Sequence, residues 1–417
     1  MRIPPDLDGH GGSQRAWHLV QALRPHGEVH FVLVFRDADY DCVSTSLAPL
    51  EPFVRSITRI NIKGWQGVQG RRFGFVPAGL INMIKMRSHE VPQFSREEVR
   101  SITARLPLLN PDIIFAGRLC SALITQAAVD KTLFASAVRL VDFDDVMSKF
   151  RFRQARSKDA KLRFQGRVLA EIDARIIAHG ERKVARSWHG VSVCTDEDVQ
   201  TLRVDYPDAS IVKIPNVIDR NLLPERPADG KFNVLFVGNL SFAPNIEGLR
   251  LFLDQGWPIL LGSHPQARLK VVGINPSPDV LALVEKHKLD LHANAPTLQP
   301  FYESCDVVIV PILYGSGTRI KILEAMAYGR PVVSTPLGAE GMELEHGRHL
   351  LLADTMSSFA AVLGRLAEDP ALGRDLAAQA REFQQERYTP SAINVAMAEL
   401  IERGTANASR ERAALDA

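Results

Sequence analysis

From Asp306 to Gly341 the chain reads DVVIVPILYGSGTRIKILEAMAYGRPVVSTPLGAEG. Two near-continuous apolar runs, Asp306–Pro311 and Pro331–Thr335, have the composition of parallel strands buried on both faces. Between them Gly315, Gly317 and Thr318 form a turn that opens a helix. Such a turn presents bare backbone N–H groups and the positive end of a helix, which suits an anion such as a phosphate. Ile320, Leu323 and Ala327 give the helix its core face, and Gly329 ends it. Glu324 sits among these apolar positions. A carboxylate there requires hydrogen-bond donors. The two hydroxyls of a ribose would supply them, at roughly 1.5–3 kcal/mol for each charge-assisted bond.

The rest of the chain repeats the same alternation. Val29–Phe35, Ile113–Ala116, Val138–Val141 and Val191–Cys194 read as strands separated by helical patterns, and Ile211–Asn216 closes the first half. A polar, proline-containing join near 216–230 leads to Asn233–Val237, Leu269–Val272, Leu289–Leu291, Asp306–Val310 and Pro331–Ser334. The expected class is therefore α/β, with two doubly wound domains over 1–216 and 217–386 facing a cleft. A chain of 417 residues, 46% of them hydrophobic, has enough apolar side chains for two cores. A terminal helix is expected over 387–403, followed by a frayed tail over 404–417. The formal net charge of +2 argues against nucleic acid as the main partner. Cys42, Cys120, Cys194 and Cys305 show no paired spacing for a metal or a disulfide framework, and suit the cytoplasm. No apolar stretch approaches the length of a membrane span, and Met1 is not followed by a signal peptide.

The 306–341 segment resembles the donor-site signature of the retaining, GT-B-fold glycosyltransferases of glycosyltransferase family four, through the words GSGTR and KILEAMA. The resemblance implies two Rossmann-like domains and a terminal helix crossing back onto the first. It also implies a nucleotide-diphosphate sugar as donor and a glycan or glycolipid hydroxyl as acceptor, with neither cofactor nor metal. The setting it implies is surface polysaccharide assembly at the inner face of the cell membrane. In that family two glutamates flank the turn with seven residues between them. The second, which holds the ribose, aligns with Glu324, and the first, which touches the sugar, is replaced here by Ser316. With Gly317 and Thr318, the resemblance places Arg319 and Lys321 near the diphosphate. Relatives usually carry an arginine after the glycine of the second domain's first strand and a lysine a few residues later. Here Gly238 is followed by Asn239 and then Asn245. The charge must come from elsewhere, or the site is compromised. A nucleotide-sugar epimerase of the same fold and an inactive nucleotide-binding subunit are the rival readings.

In the first domain, Asp8-Gly-His-Gly-Gly-Ser13 is a second glycine loop, opening onto a helix expected over Gln14–Leu23. The resemblance lays Gly12 over the diphosphate and sugar, and leaves His10 between a polar contact and a surface turn. Only Met1–Ile3 stand where relatives carry a strand, so the expectation is a start downstream of the true one, or a lost central strand. Asp144 and Asp145 end the strand in Val141-Asp-Phe-Asp-Asp-Val146. The resemblance puts them near acceptor and donor sugar as catalytic carboxylates; a D-x-D metal pair and a capping or salt-bridged aspartate are the alternatives. Lys149 to Arg186 is a basic helical face, either solvated or docked on an anionic membrane surface. Trp65 to Gln93 gives no interpretable pattern.

Overall fold

Among the described residues every strand pairing is parallel, as the buried apolar runs require. The structure is a computed structural model that describes the chain apart from residues 1–3, 8, 10, 36–45, 63–87, 89–90, 92–94, 107–108, 228 and 416–417. His10, Cys42, the Met1–Ile3 segment and most of Trp65–Gln93 thus lie outside the described residues. The chain divides into one unit of Met1–Ala155, Arg163–Pro215 and Pro390–Ala417, and a second of Arg156–Leu162 and Asn216–Thr389.

In the first unit, helix α1 (Gly11–Leu23) is followed by β1 (His30–Phe35), β2 (Ser56–Asn61) and α2 (Arg96–Thr103). Then come β3 (Ile113–Gly117), α3 (Leu119–Ala128), α4 (Lys131–Ser136), β4 (Val138–Asp144), α5 (Met147–Arg156), α6 (Phe164–Ser187), β5 (Gly190–Val193), α7 (Asp196–Asp205) and β6 (Ile211–Lys213). Its described strands fall into two sheets, β1–β2 and β3–β4–β5–β6. Helix α1 begins at Gly11, so the glycine pair lies in its first turn instead of in a preceding loop.

The second unit holds β7 (Phe232–Asn239), α8 (Ala243–Leu251), α9 (Trp257–Ser263), β8 (Ala267–Ile274), α10 (Pro278–His287), β9 (Asp290–Ala293) and α11 (Gln299–Glu303). It continues with β10 (Val307–Val310), α12 (Ile320–Ala327), β11 (Val332–Ser334), β12 (Leu351–Leu352), α13 (Met356–Glu368) and α14 (Pro370–Arg387). The strand order is β12–β11–β10–β7–β8–β9. Alternation sends Val234, Phe236, Val307 and Ile309 to a core with Phe252 and Phe359, and Leu235, Val237, Val308 and Val310 to another with Ile322, Leu323 and Met326. Burial on both faces explains why these strands read as unbroken apolar runs. The chain leaves β7 in one direction along the sheet and returns at β10 on its other side, so the β7/β10 pair is the topological switch point, where sheets of this class bind ligands.

One expectation fails at the carboxyl terminus. The final helix, α15 (Pro390–Leu415), does not stop at 403, and the supposed tail is helical to Leu415. Gly404 is buried so tightly that a Cβ there would stand 2.3 Å from Leu140 Cδ2. One turn on, Asn407 donates to the His189 carbonyl (2.9 Å), and Glu411 pairs with Arg139 and His189. These tertiary contacts to β4 and its neighbour hold residues whose local sequence carries no stop or start signal.

Candidate functional site

The glycine turn of the second unit joins β10 to α12 at the switch point. Gly317 has φ 73°, a backbone shape that glycine adopts without cost. At the far end Gly329 (φ 71°) closes α12 with a Schellman pair, Gly329 N–H to Met326 O (3.0 Å) and Arg330 N–H to Ala325 O (2.8 Å). Glu324 is buried, 5% exposed, and accepts a hydrogen bond from the Tyr302 hydroxyl at 3.3 Å. Tyr302 is itself fully buried; desolvation, and then the Glu324 charge, push its pKa well above the ordinary phenol value, so it remains a donor. Sequence reasoning missed Tyr302, which lies 22 residues from Glu324 and carries no local signal of the pairing.

The turn's two hydroxyls, Ser316 Oγ and Thr318 Oγ1, are buried and have no hydrogen-bond partner among the described residues. Buried hydroxyls are ordinarily satisfied, so two such hydroxyls in one turn at a switch point leave hydrogen-bonding capacity open to a polar ligand. Arg319 turns back on the turn itself, donating to the carbonyls of Ser316 and Gly317 (2.8 Å to the latter). Its guanidinium occupies the space that a side chain at Gly315 would need, with Nη2 2.6 Å from that position. Lys321 reaches the other way, to the β7–α8 corner, where Nζ donates to Oδ1 of Asn245 in the first turn of α8 at 2.8 Å. Gly238 is at the same spot: a Cβ there would lie 2.7 Å from Asn245 Nδ2 and 2.9 Å from Lys321 Nζ. Asn239 closes its own turn, accepting from Ser241 N–H (2.9 Å) and Oγ (2.7 Å). The structure therefore brings Gly238, Asn245 and Lys321 together and directs the Asn239 side chain elsewhere.

In the first unit Asp144 and Arg118 terminate neighbouring parallel strands, and both have positive φ, 65° and 73°. Such values in non-glycine residues store strain, which is common at functional sites. Arg15, on α1, is buried and grips Asp142 in a bidentate pair, Nε to Oδ2 at 2.9 Å and Nη2 to Oδ1 at 2.6 Å. It also donates to the Ile214 carbonyl (3.0 Å) and stands 3.3 Å from Asp144 Oδ1. Burial opposes the Arg15 charge, but Asp142 and Asp144 outweigh it and hold the guanidinium protonated. Arg118 Nη2 bonds Asp144 Oδ2, and Ser192 Oγ donates to Asp142 (2.7 Å). Gly12, Arg15, Arg118, Asp142 and Asp144 share one small cleft. Asp144 is thus a salt-bridged aspartate. Asp145 accepts a hydrogen bond from the Cys194 thiol at 3.6 Å. Asp144, Asp145 and Cys194 offer ligand atoms within 4.8 Å of one another. Two guanidinium groups already neutralise Asp144, however, and desolvation holds the Cys194 thiol protonated, so this donor set fits a cation poorly. Arg15 and Arg118 escaped sequence reasoning, and Asp142 entered it only through the D-x-D metal alternative; the signal available for the arginines was one directly after a strand whose neighbour ends in paired acids.

The basic stretch divides. Lys149 pairs with Glu197 and Asp198 (both 2.9 Å), Arg153 with Glu197 (3.1 Å) and Arg151 with Asp173 (3.0 Å). These are structural ion pairs between helices. Arg163 and, beside it, Phe164 (81% exposed), Val168 (43%) and Leu169 (44%) remain at the surface on the start of α6.

Residues 231–369 match a family model described as Glycosyl transferases group 1. A protein of Klebsiella pneumoniae, described as an uncharacterized 44.6 kDa protein in the cps region, is 31% identical over 170 residues, 39% of this chain and 44% of that protein. The D-inositol 3-phosphate glycosyltransferase of Arthrobacter sp. is 30% identical over 175 residues, 38% of this chain and 40% of that enzyme. The chain thus spans less than half the length of the curated relatives it matches. Among solved structures, sucrose-phosphate synthase from Thermosynechococcus elongatus superposes with a TM-score of 0.66 at 19% identity, over 95% of this chain and 94% of that one. HepE of Anabaena, in complex with UDP-glucose, gives 0.60 at 15% identity over 96% and 97%. The fold is that of the GT-B glycosyltransferases, and residues 231–369 of the second unit are similar to the glycosyl transferases group 1 family.

Proposed function

We propose that this chain is a retaining glycosyltransferase that moves a hexose-type unit from a nucleotide-diphosphate sugar to a hydroxyl of a glycan or lipid-linked acceptor, without metal or cofactor. The observation that carries the reading is the polar set at the β7/β10 switch point: buried Glu324, the partnerless hydroxyls of Ser316 and Thr318, and an ammonium on Asn245. On this reading the ribose hydroxyls donate to Glu324, the turn receives the diphosphate, and the charge developing on that diphosphate is met by fixed donors. In the first unit, Gly12 and Arg118 line a cleft suited to sugar hydroxyls. Asp144, being paired, orients hydroxyls rather than removing protons, and Asp145 stands beside it. The retained anomer would follow from acceptor attack on the face that the diphosphate leaves, with the leaving phosphate as base. A role in surface polysaccharide assembly is supported by the likeness to the Klebsiella protein of the cps region.

Calorimetric titration of the full chain with UDP-, GDP- and ADP-sugars tests the donor. One is expected to bind with a micromolar constant, typical of such substrates, and to turn over when acceptor is added. Turnover without acceptor would replace the transferase by an epimerase or hydrolase; binding without any turnover would leave an inactive subunit.

The Phe164, Val168 and Leu169 patch beside Arg163 also favours peripheral docking on an anionic bilayer at the cytoplasmic face. Lys158 and Lys161 precede it in the chain, and no described helix is long and apolar enough to cross a membrane. Flotation with anionic vesicles is expected to carry the wild type upward and to lose Phe164→Ser. Equal recovery with neutral and anionic lipid would end the docking proposal.

A further inference from the structure

Lys321 is built into the switch point in a way that a solvated surface lysine is not. Its ammonium rests 5.0 Å from the centroid of the Phe236 ring and donates to the Asn245 carboxamide. Asn245 is 6% exposed, and its own Nδ2 donates to the Asn239 carbonyl at 2.9 Å, which fixes the amide so that Oδ1 faces the lysine. Gly238 leaves room for the ammonium where any Cβ would collide with it. The two asparagines are therefore a socket for a cation mounted on the facing helix.

An ammonium has three donors to satisfy, and among the described residues Asn245 is its one hydrogen-bond acceptor. From its own helix and turn it meets Glu324, which favours the charge, and Arg319, which opposes it. From β7 and α8 it meets Phe236, Gly238 and Asn245, none of them acidic. Loss of hydration, with Arg319 adding to it and Glu324 opposing it, brings its pKa down to about 7. An arriving dianion reverses that balance, as an opposite charge within a few ångströms always favours the protonated amine. Ser316 Oγ and Thr318 Oγ1 wait for partners on the turn from which the lysine springs.

We propose that Lys321, seated on Asn245, is the cation that meets the diphosphate of the donor. This rests on the reading of the site as a nucleotide-diphosphate pocket and adds to it which side chain carries the charge and how pH enters. Below about pH 7 the amine is already charged and proton uptake on binding vanishes; above it, the amine is neutral in the free protein and gains its proton only in the complex.

The test is calorimetry of UDP and of uridine on the full chain, in buffers of different ionisation enthalpy, on both sides of neutrality. Wild type is expected to take up a fraction of a proton per UDP bound on the alkaline side. Lys321→Met should lose about 10- to 100-fold in UDP affinity, the worth of one charge-assisted contact, lose the proton uptake, and keep its uridine affinity. Lys321→Arg should bind UDP without uptake. Adding Asn245→Lys to Lys321→Met, which returns a cation from α8, should recover part of the loss. If Lys321→Met binds UDP as wild type does, or loses UDP and uridine alike, Lys321 is not the diphosphate cation. If the wild type itself binds uridine but gains nothing from the diphosphate, the pocket reading falls with it.

Discussion

Glu324→Ala should weaken UDP binding about 10- to 150-fold for each charge-assisted bond lost from a ribose hydroxyl, at roughly 1.5–3 kcal/mol each. The same change removes the acceptor of the buried Tyr302 hydroxyl, and an unsatisfied buried hydroxyl costs about 1–3 kcal/mol of stability. That is a fraction of the roughly 5–15 kcal/mol that holds a domain together, so the variant remains folded and its binding defect can be read. A cycle with 2′-deoxy-UDP separates the two effects. Wild type should discriminate UDP from its deoxy analogue by about tenfold or more, and Glu324→Ala should discriminate hardly at all, because the group that senses the hydroxyl is gone. Discrimination that survives the substitution would place the ribose away from Glu324 and would remove the observation on which the donor pocket depends.

The second large effect belongs to the first unit. Arg15→Met leaves Asp142, 1% exposed, without the guanidinium that neutralises it, and removing one member of a buried ion pair costs about 3–5 kcal/mol. The damage should be local to α1, β4 and β5: hydrogen exchange of the β4 amides is expected to accelerate, while β7 and β10 keep wild-type protection. Arg15→Met combined with Asp142→Asn should recover more than half of the loss, since the uncompensated charge, not the missing contact, carries most of the cost. Donor turnover should fall in both variants, because Arg15 also stands 3.3 Å from Asp144 and shares a cleft with Gly12 and Arg118. Unchanged β4 exchange in Arg15→Met would mean that water reaches the pair and that Arg15 is dispensable for this corner of the sheet.

Much of the second unit was legible because its signals are local. Apolar runs gave its five main strands to within two residues, Gly317 and Gly329 sit at the positive-φ positions their turns require, and the depth of Glu324 followed from the helical face it shares with Leu323 and Ala327. The charge arrangement was not local. Arg319 and Lys321 are two residues apart at the start of one helix, yet one braces the turn's carbonyls and the other crosses to a carboxamide 76 positions away. The same holds for Asp144, whose partners come from α1 and from the end of β3, and for the last turns of α15, fixed by His189, Arg139 and Leu140.

The amino-acid order alone determined the parallel α/β class, the position of the glycine turn and the buried acid behind it, because strand burial, helix faces and glycine turns are written within a few residues of chain. Tertiary structure alone decided that Arg319 turns to the carbonyls of its own loop, that Arg15 and Arg118 meet carboxylates of β4, and that Lys321 crosses to Asn245. Side-chain charges act through space over a few ångströms, and only the folded sheet sets which of them come within that range.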